Sequence, residues 1–385
     1  MKGLILGGKQ LMNSKYAPLL EPFTFSNKAQ LKNRIVMAPM TNFSSNQDGT
    51  VTDEEVSYYA RRSGGVGMVI TACAYVSGNG KGFNGEFGAD HDDLIPSLQK
   101  LARGIKEQGA KAILQIFHVG RQAPSGLVPN DDIVSASSVP VEGKGKPVPR
   151  ELPEDEVEAI IRDFGAATLR AIAAGFDGVE IHGANGYLIQ QFFSPHSNRR
   201  EDRFGGSLEK RLTFPLAVVD EVKKVVADQG KPDFIIGYRF SPEEPETPGI
   251  TMDETLILVD ALVEKRLDYL HVSLIDFWSK PRRGIEDNRS RIEIIFERVG
   301  GSVPVIGVGS LLTPEDALKA FGTGVQLIAL GREIIMDPDW VQKIAEGRES
   351  EIITKIDKNK QQELMIPNPL WQAIVNSPGW FPGVD

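Results

Sequence analysis

The sequence predicts one α/β domain, a closed (β/α)8 barrel with extended βα loops, and two observations carry that prediction. Eight short runs rich in β-branched and apolar residues recur along the chain. Each is followed by a helical pattern. Near-continuous apolar strands alternating with helices imply a parallel sheet covered on both faces. Eight such units in about 250–300 residues suit closure better than an open sheet. An open doubly wound sheet is the alternative. It would place a Gly-x-Gly-x-x-Gly turn after the first strand, and no such turn follows Arg34–Pro39.

In order, the strand runs are 34–39 (RIVMAP), 68–75 (MVITACAY), 112–118 (AILQIFH), 178–182 (GVEIH), 234–240 (FIIGYRF), 269–273 (YLHVS), 303–308 (VPVIGV) and 326–330 (QLIAL). Amphipathic helices are expected at 53–62, 94–108, 153–174, 211–226, 252–265, 291–299 and 313–321. Acidic first turns at 53 and 153 favour helix starts. Gly109 and Gly175 are read as terminators, and Thr313 with Pro314 as N-cap and N1. Residues 1–19 form an N-terminal extension, whose first 13 residues resemble neither core nor targeting signal. The barrel spans 20–338. Residues 339–385 form a helical or irregular tail, expected on the barrel or on a partner subunit, so a homo-oligomer stays open.

Composition excludes several function classes. The 385 residues carry a net charge of −9, which argues against nucleic acid. Cys73 is the single cysteine. It allows no internal disulfide, Cys-ligated cluster or Cys-rich zinc site, and no metal is expected. It also suits a reducing cytoplasm. No apolar run approaches the roughly 20 residues of a membrane span.

A barrel places its active site at the C-terminal ends of the strands. The residues there are Ala38–Pro39–Met40–Thr41, Ala72–Cys73, Gln115 and His118, then His182, Asn185 and Tyr187, then Arg239, Gly307–Ser310 and Gly331–Arg332. Buried polar groups need partners, and a ligand can supply them. His182 and Asn185 can hold a polar oxygen while Tyr187 hands over a proton. The bland alternative is a satisfied strand-end histidine and a tyrosine half-buried in a loop. Gly309–Ser310 and Gly331–Arg332 offer close backbone approach and N–H groups for an anion, a phosphate site after strands seven and eight. Arg332 can add a bidentate contact. Those glycines could equally serve only tight βα turns.

Together these residues resemble the old yellow enzyme family of FMN-dependent NADH:flavin oxidoreductases. The resemblance runs from about Leu20 to Pro338. Its motifs are RIVMAPMT (34–41), LQIFHVGRQ (114–122), DGVEIHGANGYLIQQFFSPHSNRREDRFGGSLEKR (177–211), GYRFSP (237–242), VIGVGS (305–310) and ALGREIIMDP (329–338). It implies that Ala38, Pro39, Met40, Thr41, Ala72, Gln115, Arg239, Gly309, Gly331 and Arg332 hold FMN. NADH or NADPH would be the reductant. His182 and Asn185 would bind the activating oxygen of an electrophilic small molecule, an α,β-unsaturated carbonyl or nitro compound, and Tyr187 would be the proton donor. Thr41 stands where some members carry Cys. Phe43 stands where a Tyr often contacts substrate, which removes one hydrogen bond. The competing readings are a flavin-free barrel lyase or aldolase on a phosphorylated substrate, for which no strand-end lysine is found, and a non-catalytic flavin-binding redox sensor.

Several features carry no assigned role. His118 and Cys73 are expected to pack in the core. Phe277–Trp278 could wall the pocket or simply cover the barrel. Lys280, Arg282 and Arg283 are expected in a solvated loop, and Glu243–Glu246 in a solvated lid.

Overall fold

The structure is a computed structural model describing residues 15–285 and 287–384; the first 14 residues of the expected extension lie outside the described residues. The eight apolar runs become β1 Ile35–Met37, β2 Met68–Tyr75, β3 Lys111–Phe117, β4 Gly178–Gly183, β5 Ile235–Phe240, β6 Tyr269–Val272, β7 Val305–Gly307 and β8 Leu327–Leu330. Each pairs in parallel with the next, and β8 closes on β1 through Ile328 with Ile35 and Leu330 with Met37. The sheet is a closed barrel, as the alternation predicts. β7 starts later than expected, after Pro304, which has no N–H to give the ladder.

The helices are α1 Asp53–Ser63, α2 Ile95–Lys106, α3 Glu154–Ala173, α4 Thr213–Asp228, α5 Met252–Glu264, α6 Arg291–Val299 and α7 Pro314–Phe321. Four begin with a reciprocal capping box: Thr52 with Glu55, Thr251 with Glu254, Ser290 with Glu293, and Thr313 with Asp316. Such caps satisfy N-terminal N–H groups and contribute about 1 kcal/mol each. Helix α2 ends before Gly109, which lies beyond the C-cap Glu107 with φ +84°. The pattern expected from Arg211 splits into a short helix Leu208–Arg211 and α4.

Two small elements were not anticipated. An antiparallel hairpin, Phe23–Thr24 with Gln30–Leu31, inserts Phe25 and Leu31 into the apolar cluster of Val36, Met68, Ile70, Ile113, Ile235, Tyr269, Ile306 and Leu327. The long loop after β3 carries a two-residue parallel pair, Val134–Ser135 with Arg150–Glu151. The lower barrel interior is therefore plugged by side chains.

The segment after β8 contains α8 Arg332–Met336, α9 Trp340–Ala345 and α10 Asn368–Val375. It packs on its own barrel. Arg62, 0% exposed, donates to the carbonyls of Tyr58, Ile335 and Leu364 and lies 3.9 Å over the Tyr58 ring. Arg61 makes a two-pronged pair with Asp339 at 2.7 and 2.6 Å. Among the described residues no helix is long and apolar enough to cross a membrane. No group of three His, Cys, Asp or Glu among them could hold a metal ion.

Candidate functional site

A cleft of about 430 Å³ opens between the ends of β1, β5, β7 and β8. It is lined by Ala38, Pro39, Met40, Arg239, Gly309, Ser310, Gly331 and Arg332, and also by Leu274, Ile275, Glu333 and Trp380. The turn after β7 has an unusual backbone: Gly309 at φ +144° and Ser310 at φ +52°. A Cβ on Gly309 would fall 2.4 Å from the Phe277 nitrogen, so only glycine fits there. Arg332 donates to Ser310 Oγ at 2.7 Å and to the Trp380 carbonyl at 2.8 Å, so the tail helps to aim it. The strand-eight turn departs from expectation: the Gly331 N–H is already bonded to Glu333 Oε2 at 2.9 Å. A separate groove of about 480 Å³ between α1 and the tail is lined by Asp53, Glu54, Met365 and Asn368 and by none of the strand-end residues.

Beneath the cleft the barrel interior turns polar. Gln115 Nε2 donates to Glu180 Oε1 at 2.6 Å, and Glu180 Oε2 bonds His271 Nδ1 at 2.9 Å. Burial alone would raise the Glu180 pKa, but His271, Arg239 and Gln115 outweigh it and hold the carboxyl ionised. Burial depresses His271, which stays neutral. Arg239 pairs in register with His182 on one side and His271 on the other. Its Nε is buried with no partner.

The stretch that joins β4 to the short helix Leu188–Phe193 sits beside this floor. His182 is 3% exposed, and burial, then Arg239 and His271, push its pKa well down, so it is neutral. Its Nδ1 accepts the Ala184 N–H at 3.2 Å, which places the ring proton on Nε2. Asn185 adopts φ +58°, a conformation Asn tolerates better than most residues. Its Oδ1 accepts from Ser273 Oγ at 2.9 Å and from Ser241 Oγ at 3.4 Å, which leaves Nδ2 as the free donor. Tyr187 packs edge-on against His182 and Phe117, both with centroids 5.0 Å away. Burial, then the Cys73 thiol and the Glu86 carboxyl, raise its pKa, so it holds its proton. His182 and Tyr187 are thus in direct ring contact, and Asn185, three residues after His182, keeps a free amide N–H.

Thr41, Ala72 and Phe43 lie on a different wall from the strand-seven and strand-eight cleft. The β2–β3 register shifts between Ile70 and Cys73, and the Ala72 N–H there is taken by the Tyr59 hydroxyl at 2.7 Å. Cys73 is buried, but its thiol bonds Glu86 Oε1 at 3.3 Å. Glu86 also accepts the Gly82 and Phe83 N–H groups at 2.7 and 3.2 Å, which fixes the loop bearing Phe83. Phe83 contacts Phe43, Phe117 and Tyr187 edge-on or stacked, forming an apolar wall. Phe43 holds φ +57°, strained for a bulky side chain. Sequence reading missed Glu86 and Phe83. Neither lies at a strand end, and only an isolated acid in a Gly-rich loop hinted at them.

The segment expected as a solvated acidic lid is corrected in part. Glu243 and Glu244 are 7% and 8% exposed. Glu243 accepts the Arg282 N–H and faces Arg291 at 3.4 Å; Glu244 accepts from Gln190 at 2.7 Å and from Ser194. Arg283 binds Thr247 and the carbonyls of Glu244 and Glu246. Both segments serve as loop staples. His118 is buried, its pKa pushed down to about 3 by desolvation, and bonded to Asn79. Phe277 is buried under Gly307, whereas Trp278 is half-buried beneath Lys319.

Residues 18–351 match the model of the NADH:flavin oxidoreductase / NADH oxidase family. This chain belongs to that family. A probable NADH-dependent flavin oxidoreductase of Bacillus subtilis (strain 168) is 55% identical over 374 residues, covering 97% of this chain and 100% of its own. An NADH:fumarate oxidoreductase of Klebsiella pneumoniae (strain 342) is 45% identical over 360 residues; the match takes in 92% of this chain but only 38% of that protein. Among solved structures, morphinone reductase in complex with tetrahydroNAD superposes with TM-score 0.72 at 27% identity, covering 86% of this chain and 91% of that one. The old yellow enzyme resemblance therefore stands, and the protein is an NAD(P)H:flavin oxidoreductase that uses FMN. That membership sets the flavin-free lyase aside. The residues present fit the cofactor: an unpartnered buried Arg239 Nε, apolar lining from Met40, Leu274 and Val308, and a glycine-dependent turn beside Arg332.

Proposed function

We propose that this family member reduces activated carbon–carbon double bonds of small electrophiles, α,β-unsaturated carbonyl compounds first and nitro compounds by the same anchoring, with NADH or NADPH as reductant. The observation that carries the reading is the paired donor geometry. His182 has its proton on Nε2 because Nδ1 is occupied, and Asn185 presents Nδ2 because Oδ1 is occupied. Each residue thus keeps one N–H free, and in this reading the two together hold a carbonyl or nitro oxygen. As negative charge builds on that oxygen, each aimed donor is worth about 2.7–4 kcal/mol. Tyr187, kept protonated by its buried setting, gives its proton to the α-carbon. A positioned general acid contributes roughly 10²–10⁴-fold.

In this reading Ala38, Pro39, Met40, Thr41, Ala72, Gln115, Arg239, Gly309, Gly331 and Arg332 hold FMN. When bound, FMN supplies the hydride chemistry that no side chain provides. Phe43, Phe83 and Phe117 exclude water from the reacting face, which strengthens the donors. Relatives named for fumarate and acrylate, both electron-poor alkenes, support the alkene class. The chain spans 38% and 36% of their lengths, so carboxylate specificity is not carried over.

The test separates the half-reactions. Tyr187→Phe is expected to leave NAD(P)H oxidation intact while slowing enone reduction about 10²-fold or more. Equal rates in variant and wild type for both halves would refute the proton-donor role. His182→Ala is expected to weaken binding of phenols to the oxidised enzyme, and an unchanged affinity counts against the oxygen-anchoring role.

A further inference from the structure

The interior layer below the cleft is built from Gln115 on β3, Glu180 on β4, Gly237 on β5 and Tyr269 on β6, aligned in one register. Gly237 leaves the room that the Tyr269 ring occupies; a Cβ there would sit 2.0 Å from Tyr269 Cζ. Glu180 is the acid of this layer and is 0% exposed. A buried carboxylate without partners would be costly. Glu180 has them on both oxygens, from two different strands.

The chemistry of those partners dictates orientation. An ionised carboxylate only accepts. Gln115 must therefore turn its Nε2 toward Glu180, as it does at 2.6 Å. Its Oε1 is left facing away, and among the described residues no group donates to it. His271, neutral, likewise turns its Nδ1–H to Glu180 and leaves Nε2 as a buried, unpartnered acceptor. Arg239, whose Nε is also unpartnered, lies in register beside His271. The floor therefore presents a fixed acceptor from Gln115 and a guanidinium whose charge Glu180 partly offsets.

We propose that Glu180 is a positioning residue of the cofactor site: it locks the Gln115 amide so that the carbonyl oxygen meets an N–H edge of the flavin ring, and its charge balances Arg239 beneath that ring. This rests on the reading that FMN binds in the cleft. Glu180 acts through Gln115 and Arg239 and touches neither substrate nor reacting atoms.

The experiment reads FMN affinity by fluorescence of reconstituted apoprotein, and the midpoint potential of bound FMN by dye equilibration. Glu180→Gln removes the charge and lets the Gln115 amide turn over. Its FMN dissociation constant is expected to rise about fivefold to tenfold, the equivalent of one hydrogen bond. Its potential is expected to become more positive, because the negative charge opposing reduction is gone. Glu180→Asp keeps the charge but shortens the reach, so affinity should fall while the potential stays at the wild-type value. In a Gln115→Leu background, Glu180→Gln should change affinity less than about twofold, since coupled residues are not additive. A folded Glu180→Gln protein with wild-type affinity and potential would overturn the proposal, as would fully additive losses. If Glu180→Gln fails to fold, Glu180→Asp decides on affinity alone. Wild-type apoprotein that binds no FMN would instead sink the cofactor reading beneath it.

Discussion

Replacing Asn185 with Asp isolates the donor that the site is built to present. The two side chains have the same shape, and both tolerate the φ +58° backbone. Aspartate keeps an oxygen for the Ser273 and Ser241 hydroxyls, at 2.9 and 3.4 Å in the native site. What it loses is Nδ2, the only donor of the side chain. One donor aimed at developing charge is worth about 2.7–4 kcal/mol, or about 10²–10³ in rate. The added carboxylate repels that same charge, so the loss should lie at the upper end. Stability should change little, since no buried contact is removed. The assay is stopped-flow reoxidation of pre-reduced enzyme by 2-cyclohexenone, followed in the flavin absorbance. Asn185→His, which restores a ring N–H and also tolerates this backbone region, should recover most of the rate. An Asn185→Asp enzyme within about threefold of wild type would refute the donor assignment, because a lost transition-state donor cannot cost so little.

The remaining predictions concern the frame of the site. Arg62→Met should destabilise the protein by about 3–5 kcal/mol, because it leaves the buried Ile335 and Leu364 carbonyls without their donor; urea unfolding of variant and wild type measures it, and a shift under about 1 kcal/mol would contradict the stapling role. Glu86 is pushed up to about 8 by burial from an ordinary 4.5. Between those values the unfolded chain binds fewer protons than the fold, so this contribution is full below the unfolded pKa and is lost as pH rises through the window. Glu86→Gln should flatten that decline, checked by urea midpoints at about pH 5 and about pH 8; parallel pH profiles would count against it. Gly237→Ala should force the Tyr269 ring out of its place, at about 1–3 kcal/mol, and alter the visible spectrum of bound FMN. An unchanged spectrum and melting temperature would show that the layer yields more easily than its packing implies.

Local pattern alone determined much of this protein. The strand runs were legible because a strand covered on both faces is apolar throughout, and helix starts because caps act within four residues. His182, Asn185 and Tyr187 lie within six residues of one another, so one stretch revealed them together. Their roles as donors were not legible there. The proton position on His182 depends on the Ala184 N–H, and the Asn185 amide is turned by Ser273, a residue 88 positions away. Glu180 stood in plain view as an acid in an apolar run, yet its meaning required Gln115 and His271 from neighbouring strands. Glu243 and Glu244 read as solvated because nothing local announced Arg291, Gln190 and Ser194. The hairpin plug and the tail's hold on Arg332 rest on contacts between residues distant in the chain. Composition and periodicity decide which face of an element is buried, whereas hydrogen-bond direction and charge pairing are settled only when closure of the barrel brings donor and acceptor atoms from separate strands within about 3 Å of one another.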